Sequence, residues 1–221
     1  MSARLVVWDV DGTLVDSAGE IAATMAAAFA GEGLAAPAPA AVRAIIGLTL
    51  PVAFDRLHPG LEAARIARLV EGYRAHFHRR REEGGMGGAP LFPGVRAVLE
   101  SLAAGGGTHL AVATGKSRQS LMPILDGHGL TAMFASIQVS DDHPSKPHPA
   151  MLRAAMAETG ARPGRTVMVG DTSFDMDMAR AAGAAALAVG WGYHPAGELA
   201  ADALARRAAE LPALIERLAG A

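Results

Sequence analysis

Two aspartates separated by one residue, Asp9 and Asp11, head the segment Asp9-Val10-Asp11-Gly12-Thr13-Leu14, directly after the apolar run Arg4-Leu5-Val6-Val7-Trp8. A run of that length and composition reads as a buried strand, so the two acids fall where the chain leaves a sheet. In open α/β sheets, ligands bind beyond the carboxyl ends of the strands. Carboxylates gathered there are costly unless something compensates them, and a divalent cation is the usual compensation. A polar turn would explain one Asp easily, but two Asp followed by Gly-Thr poorly. The pattern returns in Val167-Met168-Val169-Gly170-Asp171-Thr172-Ser173-Phe174-Asp175, where Asp175 falls one helical turn beyond Asp171 and on the same face. Asp9, Asp11, Asp171 and Asp175 could thus converge on one crevice. Such a cluster binds protons unless a divalent ion neutralises it, and all-oxygen ligation with open positions suggests Mg²⁺.

Two further segments carry groups suited to an anion. Leu110-Ala111-Val112-Ala113-Thr114-Gly115-Lys116 places a hydroxyl and exposed N–H groups where a strand opens into a helix, an arrangement that can bind a phosphate oxygen. By itself, Thr114 reads more simply as a helix cap. In Ser145-Lys146-Pro147-His148-Pro149, flanking prolines fix the backbone around Lys146 just before a helix. A pre-positioned ammonium suits a phosphoryl group or a crowd of carboxylates; a solvated lysine in a Pro-rich turn is the equal alternative. The chain has two lysines, Lys116 and Lys146, against 18 arginines, so a retained lysine is more informative than usual.

The elements that must position these groups follow from periodicity. After the first strand, Asp16-Ser17 starts an Ala-rich helix over Ile21–Phe29, and no good strand follows until about Ala89. Residues 41–46 and 52–57 read as short helical pieces. Ile66, Leu69, Val70, Tyr73 and Phe77 mark one face of a longer helix, with Arg65, Arg68 and His76 opposite. His76, His78 and Arg79-Arg80-Arg81 read as an exposed helix end. The Gly-rich stretch 84–88 reads as a hinge or, equally, as a surface loop. Beyond Pro93-Gly94, strands at 110–114, 136–139, 166–170 and 185–189 alternate with helices at 117–126, 149–158 and 174–182. A terminal helix covers 209–218. Alternation of this kind implies a parallel sheet with helices on both faces, interrupted by a helical lobe inserted after the first strand.

Composition narrows the setting. At 221 residues the chain can bury a sizeable core with an inserted lobe. A net charge of −2 gives no electrostatic case for nucleic acid or an anionic membrane as partner. No cysteine is present, which excludes disulfides and thiolate metal sites. No secretory-type N-terminus and no bilayer-length apolar stretch occur, so a cytoplasmic protein is the expectation.

In their order, Asp-x-Asp-Gly-Thr-Leu at 9–14, Ala-Thr-Gly-Lys at 113–116, Lys-Pro-His-Pro at 146–149 and Gly-Asp-Thr-Ser-Phe-Asp at 170–175 resemble the motif set of the haloacid dehalogenase-like hydrolase superfamily. The likeness spans essentially the whole chain. Gly190-Trp191-Gly192-Tyr193 is similar to the region after the fifth strand in phosphoglycolate phosphatase-like members. The resemblance implies an α/β fold: a Rossmann-like core of residues 1–16 and 90–221 with a helical cap of residues 17–89. It implies Mg²⁺-dependent hydrolysis of a small phosphate monoester such as phosphoglycolate. In that scheme Asp9 is the nucleophile that forms an aspartyl-phosphate, and Asp11 is the general acid and base. Thr114, Gly115 and Lys146 hold the phosphoryl oxygens. Asp9, the Asp11 carbonyl and Asp171 hold the metal, with Asp175 supporting them. Arg43 and the turn at Gly47 are the expected substrate contacts of the cap. Such an enzyme works as a monomer or homodimer.

Related activities sort against this pattern. Dehalogenating members need no acid at Asp11, and phosphonoacetaldehyde-cleaving members use a cap lysine that this chain lacks. Sugar phosphate mutases share all four motifs and stay open. A receiver-like domain would be shorter and lack the insertion, and a non-catalytic phosphate-binding protein would be expected to lose a motif residue, whereas all are present.

Overall fold

The computed structural model describes residues 3–82 and 89–220, except for the side chains of 81 and 82. The Gly-rich stretch 84–88, read above as a hinge or loop, lies outside the described residues. In chain order the elements are β1 (Arg4–Trp8), α1 (Ala18–Gly31), α2 (Pro39–Arg43), α3 (Leu50–Leu57), α4 (Ala63–Glu82) and α5 (Val95–Ala104). There follow β2 (Thr108–Ala113), α6 (Arg118–Gly127), β3 (Phe134–Gln138), α7 (Ala150–Thr159), β4 (Thr166–Gly170) and α8 (Ser173–Ala182). The chain closes with β5 (Ala185–Val189), β6 (Ala203–Ala205) and α9 (Leu211–Leu218).

The six strands form one parallel sheet in the order β3-β2-β1-β4-β5-β6. β1 lies in the interior because Leu5, Val6, Val7 and Trp8 can be buried on both sides of the pleat. Val6 and Trp8 face a layer that includes Val98 and Leu99 of α5, Leu121 of α6 and Ile215 of α9. Leu5 and Val7 face Leu152 and Ala155 of α7 and Met176 and Ala179 of α8. Small alanines on that second face let the helices approach the sheet closely, which is how an alanine-rich composition is spent. Strand order reverses at β1, since the chain builds outward to β3 on one side and to β6 on the other. The crevice between the carboxyl ends of β1 and β4 is therefore the topological switch point.

Helices α1 to α4 pack on one another around their own cluster, which includes Met25, Phe29, Phe54, Leu69, Tyr73 and Phe77. Phe174 of α8 joins this cluster from the sheet side. The chain leaves the sheet and returns to it through a stitched ribbon: Val15 pairs antiparallel with Leu91, Asp16 N–H donates to Pro90 O (2.9 Å) and Phe92 N–H donates to Leu14 O (2.9 Å). The expected helix at 41–46 stops at Arg43, and residues 44–47 form a turn instead. The short edge strand β6 was not expected. Its Ala203-Leu204-Ala205 has no β-branched or aromatic residue to mark it. Among the described residues, no helix is long and apolar enough to cross a membrane.

Candidate active site

Trp8 is in register with Val112 of β2 and Val169 of β4. Asp9, Thr114 and Asp171 therefore all emerge within two residues of one line across the sheet, at the switch point. Asp9 is 1% exposed, Asp171 and Asp175 are 0% exposed, and oxygens from these three carboxylates lie within 4.8 Å of one another.

Each member is held differently. Asp171 Oδ1 accepts from Thr13 Oγ1 (3.0 Å) and Oδ2 accepts from the Tyr193 N–H (2.8 Å). Two glycines make room for it. A Cβ on Gly12, whose φ is +83°, would stand 2.2 Å from Asp171 Oδ2, and one on Gly192 would stand 2.1 Å from Asp171 Cβ. Asp175 completes a capping box at the start of α8, its Oδ2 accepting from Thr172 Oγ1 (2.7 Å) and Thr172 N–H (3.1 Å). Its Oδ1 accepts from Lys146 Nζ at 2.6 Å. Lys146 reaches in from the segment before α7, next to a cis peptide bond with Pro147, and its Nζ is also 2.8 Å from Asp9 Oδ1. Among the described residues, nothing else satisfies either oxygen of Asp9.

Three buried carboxylates against one ammonium leave an uncompensated negative charge. Burial, reinforced by Asp175 and Asp11 and opposed by Lys146, pushes Asp9 up to about 7. Burial, with Asp9 and Asp175, raises Asp171 well above the usual carboxylate range. Burial works against the Lys146 ammonium, but Asp175 and Asp9 outweigh it and hold its pKa above the usual lysine value. A buried carboxylate with unsatisfied oxygens beside two more, all hard oxygen donors, fits a divalent cation such as Mg²⁺.

The expectation of four converging carboxylates is corrected to three. The Asp11 side chain turns away from the triad: its Oδ1 accepts a short hydrogen bond from Ser17 Oγ and pairs with Lys116 Nζ at 3.1 Å. The positive φ of Gly12 turns the chain after Asp11, so that Ser17 at the start of α1 comes back within reach of the Asp11 carboxylate and holds it there. Asp11 thereby lines a chamber of about 440 Å³ between the sheet ends and the helical lobe.

The lobe sits tightly against the sheet ends. A Cβ on Gly115 would fall 2.5 Å from the Gly47 carbonyl oxygen, and Thr49 N–H donates to Ser145 Oγ at 3.0 Å. Gly47 is buried, facing Thr172 and Phe174. Gly47 and Gly115 both line the chamber. Thr114 is buried at the end of β2, and its Oγ1 accepts from Lys116 N–H (3.2 Å). It does not cap α6; Ser117 does, accepting from Ser120 N–H (3.3 Å).

Arg43 stands apart from these residues. It is exposed and is not among the chamber's lining residues, because α2 ends at it with its side chain outward; Arg74 of α4 lines the chamber instead. Sequence reasoning also gave no role to Lys116, Ser17 and Tyr193. The scarcity of lysine pointed toward Lys116. The Gly190–Tyr193 segment stood out by resemblance, but nothing in it marked the partners of Tyr193, whose Oη accepts from Ser17 N–H (2.7 Å) and Ala18 N–H (3.0 Å) across the fold.

Comparison with known proteins gives the family. Residues 6–189 match the family model of haloacid dehalogenase-like hydrolases, and the chain belongs to that family. Its likeness runs to phosphatases in particular. It is 40% identical over 202 residues, 89% of this chain and 85% of the relative, to the probable phosphatase IndB of Dickeya dadantii. It is 34% identical over 192 residues, 86% of this chain and 82% of the relative, to the phosphoglycolate phosphatase of Yersinia pestis. The crystal structure of a predicted phosphoglycolate phosphatase from Haemophilus somnus superposes with a TM-score of 0.84 at 25% identity, covering 98% of this chain and 99% of that one.

Proposed function

We propose that this protein is a Mg²⁺-dependent phosphatase that hydrolyses a phosphate monoester through an aspartyl-phosphate on Asp9. One observation carries the reading. Asp9 is a buried carboxylate that has Lys146 as its one close partner and lies beside two further carboxylates, while Asp11 faces the adjoining chamber. That is the division of labour phosphoryl transfer needs: a nucleophile at the charged end and a proton donor at the leaving-group end.

Asp9 attacks phosphorus, and the bond to the leaving oxygen breaks as Asp11 delivers its proton to that oxygen. Asp11, now ionised, takes a proton from the water that attacks the aspartyl-phosphate, which returns Asp9 and releases phosphate. Lys146 orients Asp9 and offsets the charge on the equatorial oxygens, to which Thr114 and the N–H of Gly115 donate. Asp9 and Asp171, with the main-chain carbonyl of Asp11, would hold Mg²⁺, which when bound supplies charge neutralisation to the phosphoryl group. Asp175 spends its oxygens on Lys146 and Thr172, so its part is to position the lysine and support the metal site. Residues 17–89 act as a cap over a core of residues 1–16 and 90–221. Its closure excludes water and shapes the leaving-group chamber.

The test is steady-state phosphate release from a panel of esters, including 2-phosphoglycolate, with and without Mg²⁺. Release that requires Mg²⁺ and vanishes in Asp9→Asn is the expected result. Interconversion of hexose phosphates without net release would instead establish a mutase.

A further inference from the structure

The chamber that adjoins Asp11 is the place where the phosphatase reading leaves room for the alcohol, and its shape and lining say more than that reading does. Its volume of about 440 Å³ would hold on the order of fifteen waters at roughly 30 Å³ each, whereas a glycolate leaving group has about five non-hydrogen atoms. Its lobe side is apolar, with Ile21, Met25, Ile46, Leu48, Tyr73 and Phe77 among the lining residues. Tyr73 and Phe77 present their rings nearly parallel, 14° apart with centroids 6.4 Å from each other. Aromatic side chains in the lining favour a stacked or edge-on ring.

Charge points the same way. The lining holds two cations, Lys116 and Arg74. Lys116 Nζ is 3.1 Å from Asp11 and 5.6 Å from the Phe77 ring centre, and Arg74 pairs with Glu71 at 3.4 Å. A carboxylate on the leaving group would have to compete with Asp11 for the largely buried Lys116 side chain, since the Arg74 and Glu71 side chains are solvent-exposed and their attraction for an anion is screened. The opposite rim is polar but mostly neutral: Ser117, Ser120, Ser140, Ser145 and His143, with Asp141. Such a rim hydrogen-bonds hydroxyls or ring edges and fixes orientation.

Resting on the phosphatase reading, we propose that the preferred substrate is the phosphate monoester of an uncharged, ring-bearing alcohol, with the ring against Tyr73 and Phe77 and its polar edge toward the serine rim. Aryl-alkyl phosphates and nucleoside 5′-monophosphates share that chemistry.

The experiment compares kcat/KM of the Mg²⁺-loaded enzyme for benzyl phosphate, a nucleoside 5′-monophosphate and 2-phosphoglycolate, all of which expel a primary alkoxide. The expected result is at least about a tenfold preference for one or both ring-bearing esters, the scale of discrimination an apolar pocket contact commands. Preference for benzyl phosphate alone names an aryl-alkyl source, and preference for the nucleotide alone a nucleoside source. Phe77→Leu should reduce the ratio of ring-bearing ester to 2-phosphoglycolate about threefold or more, with unfolding midpoints checking that the variant folds. Equal or better turnover of 2-phosphoglycolate would overturn the inference and leave the phosphatase standing. Hydrolysis of none of the three, nor of any panel ester, would overturn both.

Discussion

Replacing Lys146 by Met keeps the length of the side chain and removes its charge from a slot that is 0% exposed. The ammonium lies 2.8 Å from Asp9 and 2.6 Å from Asp175, so the substitution strands two buried carboxylates at once. Removing one partner of a buried pair costs about 3–5 kcal/mol. For a chain of this size that is a fall of about 6–20 °C in Tm, at roughly 2–4 °C per kcal/mol. The loss depends on pH, and its sign is fixed. Asp9 already binds its proton near 7 with the lysine present; without it, the folded state holds protons more tightly still. Where the folded state binds more protons than the unfolded one, stability falls as pH rises, so the variant should suffer more at pH 8.5 than at pH 5.5. Added Mg²⁺ should restore part of the loss at the higher pH. Turnover should drop by about 10²–10³-fold, the usual consequence of deleting a charge-stabilising donor. Thermal unfolding at both pH values, with and without Mg²⁺, is the assay. A loss below about 1 kcal/mol at pH 8.5, or an equal loss at both, would refute the reasoning that Lys146 compensates this cluster.

Gly192→Ala drives a methyl group into Asp171 and should weaken Mg²⁺ activation by about 10- to 100-fold; an unchanged activation constant would contradict the assigned role of Asp171. Tyr193→Phe leaves the N–H groups of Ser17 and Ala18 without their acceptor, for a loss of about 1–2 kcal/mol measured by urea unfolding, with an unshifted midpoint as the contrary result. Burial holds His194 below its ordinary 6.5, outweighing a backbone hydrogen bond with Ala44 and the negative Asp175 and Glu198. The unfolded chain therefore binds the proton first, and wild-type stability should fall as pH drops through 6.5. His194→Gln should flatten that part of the stability–pH curve, and an identical curve would exclude the contribution.

The sheet strands that carry the acids were legible because β1 and β4 are continuous apolar runs ending in Asp or Gly-Asp, a pattern made by burial on both faces. Asp9 and Asp171 came together as their positions at strand ends required, and Lys146 joined them from the Pro-flanked segment before α7. What escaped reading was orientation. One residue separates Asp9 from Asp11, yet their carboxylates go to opposite duties, Asp9 to the triad and Asp11 to Ser17 and Lys116. Arg43 and Arg74 look alike as charges in helical segments, and only the packing of α2 and α4 decides which one lines the chamber. Tyr193 is paired with residues some 176 positions away, a separation at which no local pattern operates. β6 was missed because three small and aliphatic residues acquire strand character from their neighbour β5 alone.

The ribbon that joins Leu14–Asp16 to residues 90–92 has a consequence for how such chains diversify. With both ends of the insertion hydrogen-bonded side by side, the sheet experiences everything between them as a closed loop. Lengthening a closed loop is cheap, about 0.6 kcal/mol for each doubling. Changes of length within the helical lobe thus cost the sheet little chain entropy so long as the lobe's contacts with Gly115, Thr172 and Phe174 are kept. Selection is left free to remodel the lobe's wall of the chamber while Asp9, Asp171 and Lys146 stay where they are.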